Sequence, residues 1–139
     1  MAYEIPNLRV GLYPADIDMS AVTTYQYTAV WLGAAANGKG TGKGLASLQT
    51  KGSKITGPIG VLQNNPLQGE AGELITSGIT KARAGGTFTV GDNLTVNSSG
   101  LFVIAATGNL IVGKALESAV SGEVCAVLLG GLGAPPVSP

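Results

Sequence analysis

The sequence has no histidine, one cysteine and few charges: eight acidic and eight basic side chains, 12% of 139 residues. Without histidine there can be no Ser-His-Asp or Cys-His nucleophile pair and no imidazole metal ligand. A lone cysteine, Cys125, allows neither an intramolecular disulfide nor a cysteine-cluster zinc site. It lies in Val124-Cys125-Ala126-Val127-Leu128-Leu129, a run that reads as buried strand, so it is expected to be a small core hydrophobe. A formal net charge of zero lacks the excess of Lys and Arg on which nucleic-acid affinity rests. Long apolar runs are also missing. The longest, residues 29–36 and 125–133, fall far short of the ~20 residues a membrane span requires. The opening Met1-Ala2-Tyr3-Glu4-Ile5-Pro6 puts an acid and a proline where a signal peptide needs cations and then an apolar stretch. The expectation is a chain made in the cytoplasm and soluble until it meets a partner.

What the sequence does have is glycine, 22 residues, roughly twice the usual share of ~7%. Hydrophobic residues make up 45%, which argues against wholesale disorder. The length suits one domain, or one domain with an arm. Composition divides it further. The stretch up to about residue 32 holds five of the seven aromatics, Tyr3, Tyr13, Tyr25, Tyr27 and Trp31, and is interrupted by Pro6 and Pro14. Residues 1–20 read as an extended arm, with Tyr3, Ile5, Leu8, Val10, Leu12 and Tyr13 as apolar contacts for another chain. Deleting residues 1–20 is expected to abolish attachment and leave the domain folded. Residues 21–31 alternate and read as a strand, and 21–57 continue into a glycine- and lysine-rich loop. From 58 to 133, short alternating runs such as Leu94-Thr95-Val96 are separated by Gly, Asp-Asn or Ser-Ser-Gly corners, and 134–139 form a tail. That spacing predicts an all-β barrel or sandwich with glycine-rich turns.

Few constellations offer chemistry. In the loop at residues 37–44, Asn37 stands where a phosphate-binding P-loop needs its first glycine, and Gly44 stands in place of the Ser or Thr. Lys39 and Lys43 instead suit a mobile surface loop, or one ordered against a negative partner surface. Asp16 and Asp18 resemble the start of a calcium loop, but its glycine and closing glutamate are absent. No cofactor, metal or small-molecule substrate is expected, and no enzymatic activity.

An internal repeat at an offset of 53 aligns Gly60 with Gly113, Leu67 with Val120, Gly69 with Gly122 and Glu70 with Glu123. Each copy reads as a strand end, a compact corner and a Gly-Glu turn launching the next strand.

Gly60-Val61-Leu62, Gly69-Glu70, Gly91-Asp92-Asn93-Leu94-Thr95-Val96, residues 99–106, Gly113-Lys114-Ala115-Leu116-Glu117 and Gly122-Glu123-Val124 follow one another in order. This succession, over roughly residues 56–130, resembles the head decoration, or capsid cement, proteins of tailed bacteriophages. The resemblance implies a small β-rich protein on the outer capsid surface of the virion. It further implies a homo-trimer at three-fold or quasi-three-fold positions, bound to the major capsid protein and stabilising the shell. The basic loop at 37–44 lies outside the resemblance. Two other readings stand beside it: a phage tail or fibre module, and a small hydrolase or carbohydrate-binding β-domain, which would need clustered carboxylates or exposed coplanar aromatics.

Overall fold

The computed structural model describes residues 8–15, 18–21, 25–34, 46–49, 58–97 and 99–130. These form nine strands: β1 (Leu8–Pro14), β2 (Ala29–Ala34), β3 (Ala46–Gln49), β4 (Gly60–Leu62), β5 (Ala71–Arg83), β6 (Asn93–Val96), β7 (Phe102–Ile104), β8 (Gly113–Ala115) and β9 (Val124–Leu129). One sheet runs β3-β2-β4-β5-β9-β8-β6-β7, with β1 also paired to β5, and every strand pairing is antiparallel. The far edge turns back on the sheet: Ala84 bridges Phe102 in parallel, and the Gly85 N–H donates to the Phe102 carbonyl at 2.7 Å. The class is all-β and barrel-like, as the alternating runs and glycine corners predict.

The corner repeat proves to be one part of a duplicated five-stranded unit. In the first unit β4 pairs with β2 (Val30↔Gly60, Ala29↔Val61) and with β5 (Val61↔Ile75, Leu62↔Leu74). In the second, β8 pairs with β6 (Leu94↔Gly113, Asn93↔Lys114) and with β9 (Lys114↔Leu128, Ala115↔Val127). The correspondence is residue for residue. It extends to the outer strands: Pro14↔Ala71 and Tyr13↔Gly72 of the β1–β5 pair match Arg83↔Val124 and Ala82↔Cys125 of the β5–β9 pair. Strand β5 therefore serves both units. Its residues 71–77 pair with β1 and β4, and its residues 78–83 pair with β9, the changeover falling at Gly78 with φ +92°.

The turns repeat as closely. Gly69 (φ +85°) and Gly122 (φ +91°) take left-handed backbone that glycine adopts without penalty. The Gly69 N–H donates to Ala15 and the Gly122 N–H to Ala84, while Ala15 and Ala84 donate back to Glu70 and Glu123. Gly60 and Gly113 also share a cause. A Cβ on either would lie within 2.9 Å and 2.7 Å of the carbonyl oxygens of Ile75 and Leu128, so close strand approach needs glycine in both copies.

Residues 25–28 depart from the strand expected over 21–31. The Tyr25 N–H donates to the Ala21 carbonyl, and the Thr28 hydroxyl donates to the Tyr25 carbonyl at 2.6 Å. Tyr27 then turns the chain at φ +64°, so the strand begins only at Ala29. Local side-chain bonding to backbone competes with the sheet ladder here.

Each unit encloses its own core. Ala15, Met19, Val30, Leu62 and Leu74, with Ile59 packed against them, fill the first. Their counterparts Ala84, Phe88, Leu94, Ala115, Val127 and Val112 are buried in the second. Volumes offset one another: Phe88 is larger than Met19, and Ala115 smaller than Leu62, as a conserved interior space requires. Burying each such leucine contributes about 1.5–3 kcal/mol.

The opposite face of the first unit's sheet is also covered. Ala29, Trp31, Val61 and Ile75 are at most 3% exposed and belong to the same apolar cluster as Phe88, Val96 and Phe102. The joint is hydrogen-bonded: Ala29 N–H donates to Gly100 and Arg83 N–H to Tyr27, each at 2.8 Å.

Candidate functional site

The structure brings some of the expected contact residues into its sheet. Leu8, Val10 and Tyr13 lie on β1, their backbones in register with Ser77, Leu74 and Gly72 of β5, and Leu12 falls at a register shift between them. The segment is extended, as read from its sequence, and its backbone is engaged by the domain's own sheet. Ala15 and Met19, inside the 1–20 span, are fully buried, so arm and domain overlap there. Tyr3, Ile5, Lys39 and Lys43 lie outside the described residues.

Among the described residues, Asp18, Glu70, Asp92 and Glu123 each serve a local turn, and Glu117 reaches across to β9. Glu70 accepts the Leu67 N–H at 2.7 Å, and its counterpart Glu123 accepts the Val120 N–H at 2.8 Å. Glu117 accepts the Ala126 N–H at 2.9 Å, and Asp92 accepts the Thr89 N–H at 2.9 Å. Asp18 accepts the Ser20 N–H, and hydrogen bonds from the Ser20 side chain and backbone lower its pKa below the ordinary carboxylate value. Among the described residues no three His, Cys, Asp or Glu side chains converge on a possible metal site. These acids shape corners.

Cys125 is 4% exposed, and its thiol points at the Ala82 carbonyl, 3.6 Å away. Burial, and then the charges of Glu117 and Glu123, push its pKa up to about 11. That is the opposite of an activated nucleophile. Beside it an open groove of about 640 Å³ runs between the end of β5 and β9, lined by Tyr27, Ile79, Lys81, Glu117, Val124 and Ala126. Lys81 sits 5.8 Å from the centre of the Tyr27 ring, and Glu117 is held by Ala126.

Among the described residues, large apolar side chains are exposed on turns and on strands, Val90 in the turn before β6 most of all at 63%. Leu67 and Val120, at 51% and 52%, occupy the same position on the two duplicated turns. Val124 and Leu128 project from the outer face of β9, and Ile104 from the end of β7. Sequence reasoning matched Leu67 to Val120 but not the face of β9, because its signal is distributed over β6, β8 and β9 and appears only once they pair.

Such an arrangement, a duplicated barrel with apolar side chains exposed on its turns and on one face of β9, defines an all-β module. The profile of phage cement proteins matches residues 28–130, which takes in β2 to β9. The chain belongs to the phage cement protein family, and is a capsid-associated structural protein of a phage virion. A solved structure, the head fiber gp8.5 N base of bacteriophage phi29, is similar in fold, with a TM-score of 0.65 at 18% identity, covering 88% of this chain and 95% of that one. No curated protein gives a significant match.

Proposed function

We propose that this protein decorates the outside of a phage head, binding the major capsid protein as a trimer at three-fold or quasi-three-fold positions and stabilising the shell. The observation that carries this reading is the family match across both units of the barrel. A capsid repeats one surface many times, so three modest contacts per trimer add through avidity. Zero net charge and abundant small residues suit close packing on such a surface. In this reading Tyr3 and Ile5, ahead of β1, lie along the capsid protein, β1 with Leu8, Val10, Leu12 and Tyr13 carries the chain to them, and Lys39 and Lys43 meet acidic groups of the shell. The protein acts by adhesion, with no catalytic step and no cofactor.

The test is co-sedimentation of the purified full chain with shells that lack it, together with its mass in solution and the heat resistance of the decorated shell. Saturable binding at hundreds of copies per particle, with a shell that survives higher temperature, supports the reading. Failure to sediment with shells would overturn it. A second reading, the base of a head fibre, draws on the fold likeness to the phi29 head-fibre base; it predicts a few tens of copies instead.

A further inference from the structure

The two units differ across their outer faces: Ala29, Trp31, Val61 and Ile75 of the first stand at the positions of Asn93, Thr95, Lys114 and Leu128 of the second. Their turn tips do not differ in this way. Leu67 and Val120 are 51% and 52% exposed, and each N–H is held by the carboxylate three residues on, Glu70 or Glu123. Gly69 and Gly122 share the left-handed backbone, and Ala15 and Ala84 bond to the two turns alike. The bases of the turns match as well. Asn64 Oδ1 accepts the Glu73 N–H and Glu117 Oε1 the Ala126 N–H, each at 2.9 Å, while the Met19 and Phe88 N–H groups donate to Pro66 and Ala119.

One exposed apolar side chain is ordinary on a protein surface. Here it is offered twice, on backbones fixed by the same bonds, and neither side chain belongs to a core cluster. A rigid turn with an apolar tip is a preorganised contact. The two tips stand at the two ends of β5: Glu70 runs into Ala71, and Glu123 runs into Val124, which pairs with Arg83. Two equal tips suit two copies of one socket, which is what a shell of repeated subunits presents. Charge sets the rest of the partner's chemistry. Residues 63–73 and 116–126 hold Glu70, Glu73, Glu117 and Glu123 and no Lys or Arg. Lys81, which lines the groove with Glu117, stands 5.8 Å from the centre of the Tyr27 ring, so the charge at the tips themselves is that of Glu70 and Glu123. We infer that the Leu67 and Val120 turns are a pair of equivalent plugs, each seated in an apolar socket of the major capsid protein with a lysine or arginine at its rim, so that one chain ties two capsid subunits together. The inference rests on the proposed decoration and assigns its contact.

The experiment measures co-sedimentation of the full chain with shells that lack it, at limiting protein and over a range of salt. Leu67→Ser and Val120→Ser are each expected to weaken binding about tenfold or more, the weight of one buried leucine or valine. Together they should cost about a hundredfold, with melting unchanged. Ile104→Ser, at a side chain as exposed as Leu67 but on β7, should bind like wild type. Glu70→Gln with Glu123→Gln keeps both turn bonds and removes both charges, so binding should weaken and lose part of its salt dependence. A double serine variant that fills shells like wild type would overturn the plugs and leave the decoration role standing. Loss confined to one of the two turns would overturn their pairing. A double variant whose mass in solution falls would assign the tips to a second copy of this chain and strike out the capsid socket. Wild-type protein that fails to sediment with shells would remove the decoration itself, and the plugs with it.

Discussion

Gly100 and Ala29 are locked backbone to backbone: the Gly100 carbonyl accepts the Ala29 N–H at 2.8 Å, and a Cβ on Gly100 would overlap the Ala29 carbonyl oxygen. Gly100 also sits at φ +80°. Replacing it with alanine forces left-handed backbone on an L residue and drives two main chains apart at the joint between units. Gly100→Ala is expected to lower stability by about 2–4 kcal/mol, the left-handed penalty plus overpacking. Gly91 has a similar φ of +92° but open space where a Cβ would go, so Gly91→Ala should lose only about 1–2 kcal/mol. Urea unfolding of both variants checks this, and equal losses would show that the joint yields freely.

The duplicated turns give a matched pair of tests. Glu70 and Glu123 each cap the N–H three residues before them, with the same oxygen and nearly the same length. Glu70→Ala and Glu123→Ala should each lower stability by about 0.5–1.5 kcal/mol, and glutamine at either site should restore most of it, because its amide oxygen can accept the same bond. Thermal melts of the four variants would decide. Loss at one turn and not the other would break the functional equivalence of the two corners.

Half of this architecture is legible in the chain. The period-2 runs around Leu94-Thr95-Val96 and the glycine corners announce strands because their spacing is local, and the Gly60/Gly113 register announces the duplicated corner. The full extent of the duplication is not legible, because its partners share contacts and not letters: Met19 stands for Phe88, Leu62 for Ala115, Tyr27 for Gly91. Only hydrogen bonding exposes the match. The strand read across 21–31 holds from Ala29 on and departs at residues 25–28 for a similar reason: alternation there is real, but Thr28 bonds back to Tyr25 and Tyr27 turns the chain before Ala29. The exposed face of β9 is the least legible part of the candidate site. Lys114 and Leu128 sit far apart in sequence and become neighbours only when β8 pairs with β9.

Cys125 predicts an inert thiol. With its pKa raised from 9.0 to about 11, the thiolate fraction at pH 8 is about a hundredfold lower in the folded protein than in the unfolded chain. Thiol-reactive dye should therefore label the native protein at least that much more slowly than the urea-unfolded protein. The sign for stability follows. The fold favours the protonated thiol, so this contribution is complete below pH 9 and is lost as pH rises from 9 towards about 11. Cys125→Ala should remove that part of the alkaline decline. Rapid native labelling at pH 8 would contradict the burial of the side chain.

The N-terminal segment gives the sharpest separation of folding from attachment. β1 closes one side of residues 71–77 of β5, and Ala15 and Met19 are fully buried in the first core. A deletion through residue 20 thus removes a strand and two core side chains, bares the β5 edge and leaves a cavity where Met19 lay. Met19 alone, at the usual range for a buried large side chain, is worth about 2–5 kcal/mol. Removal of residues 1–20 should abolish a cooperative melt, or lower it by more than about 10 °C. Removal of residues 1–7 spares every described strand and should leave the melt within about 2 °C of wild type. If Tyr3 and Ile5 lie along the capsid protein, the shorter deletion should still weaken shell binding at least tenfold, read by co-sedimentation at limiting protein. A folded protein lacking residues 1–7 that decorates shells at full occupancy would move the capsid contact to the barrel itself.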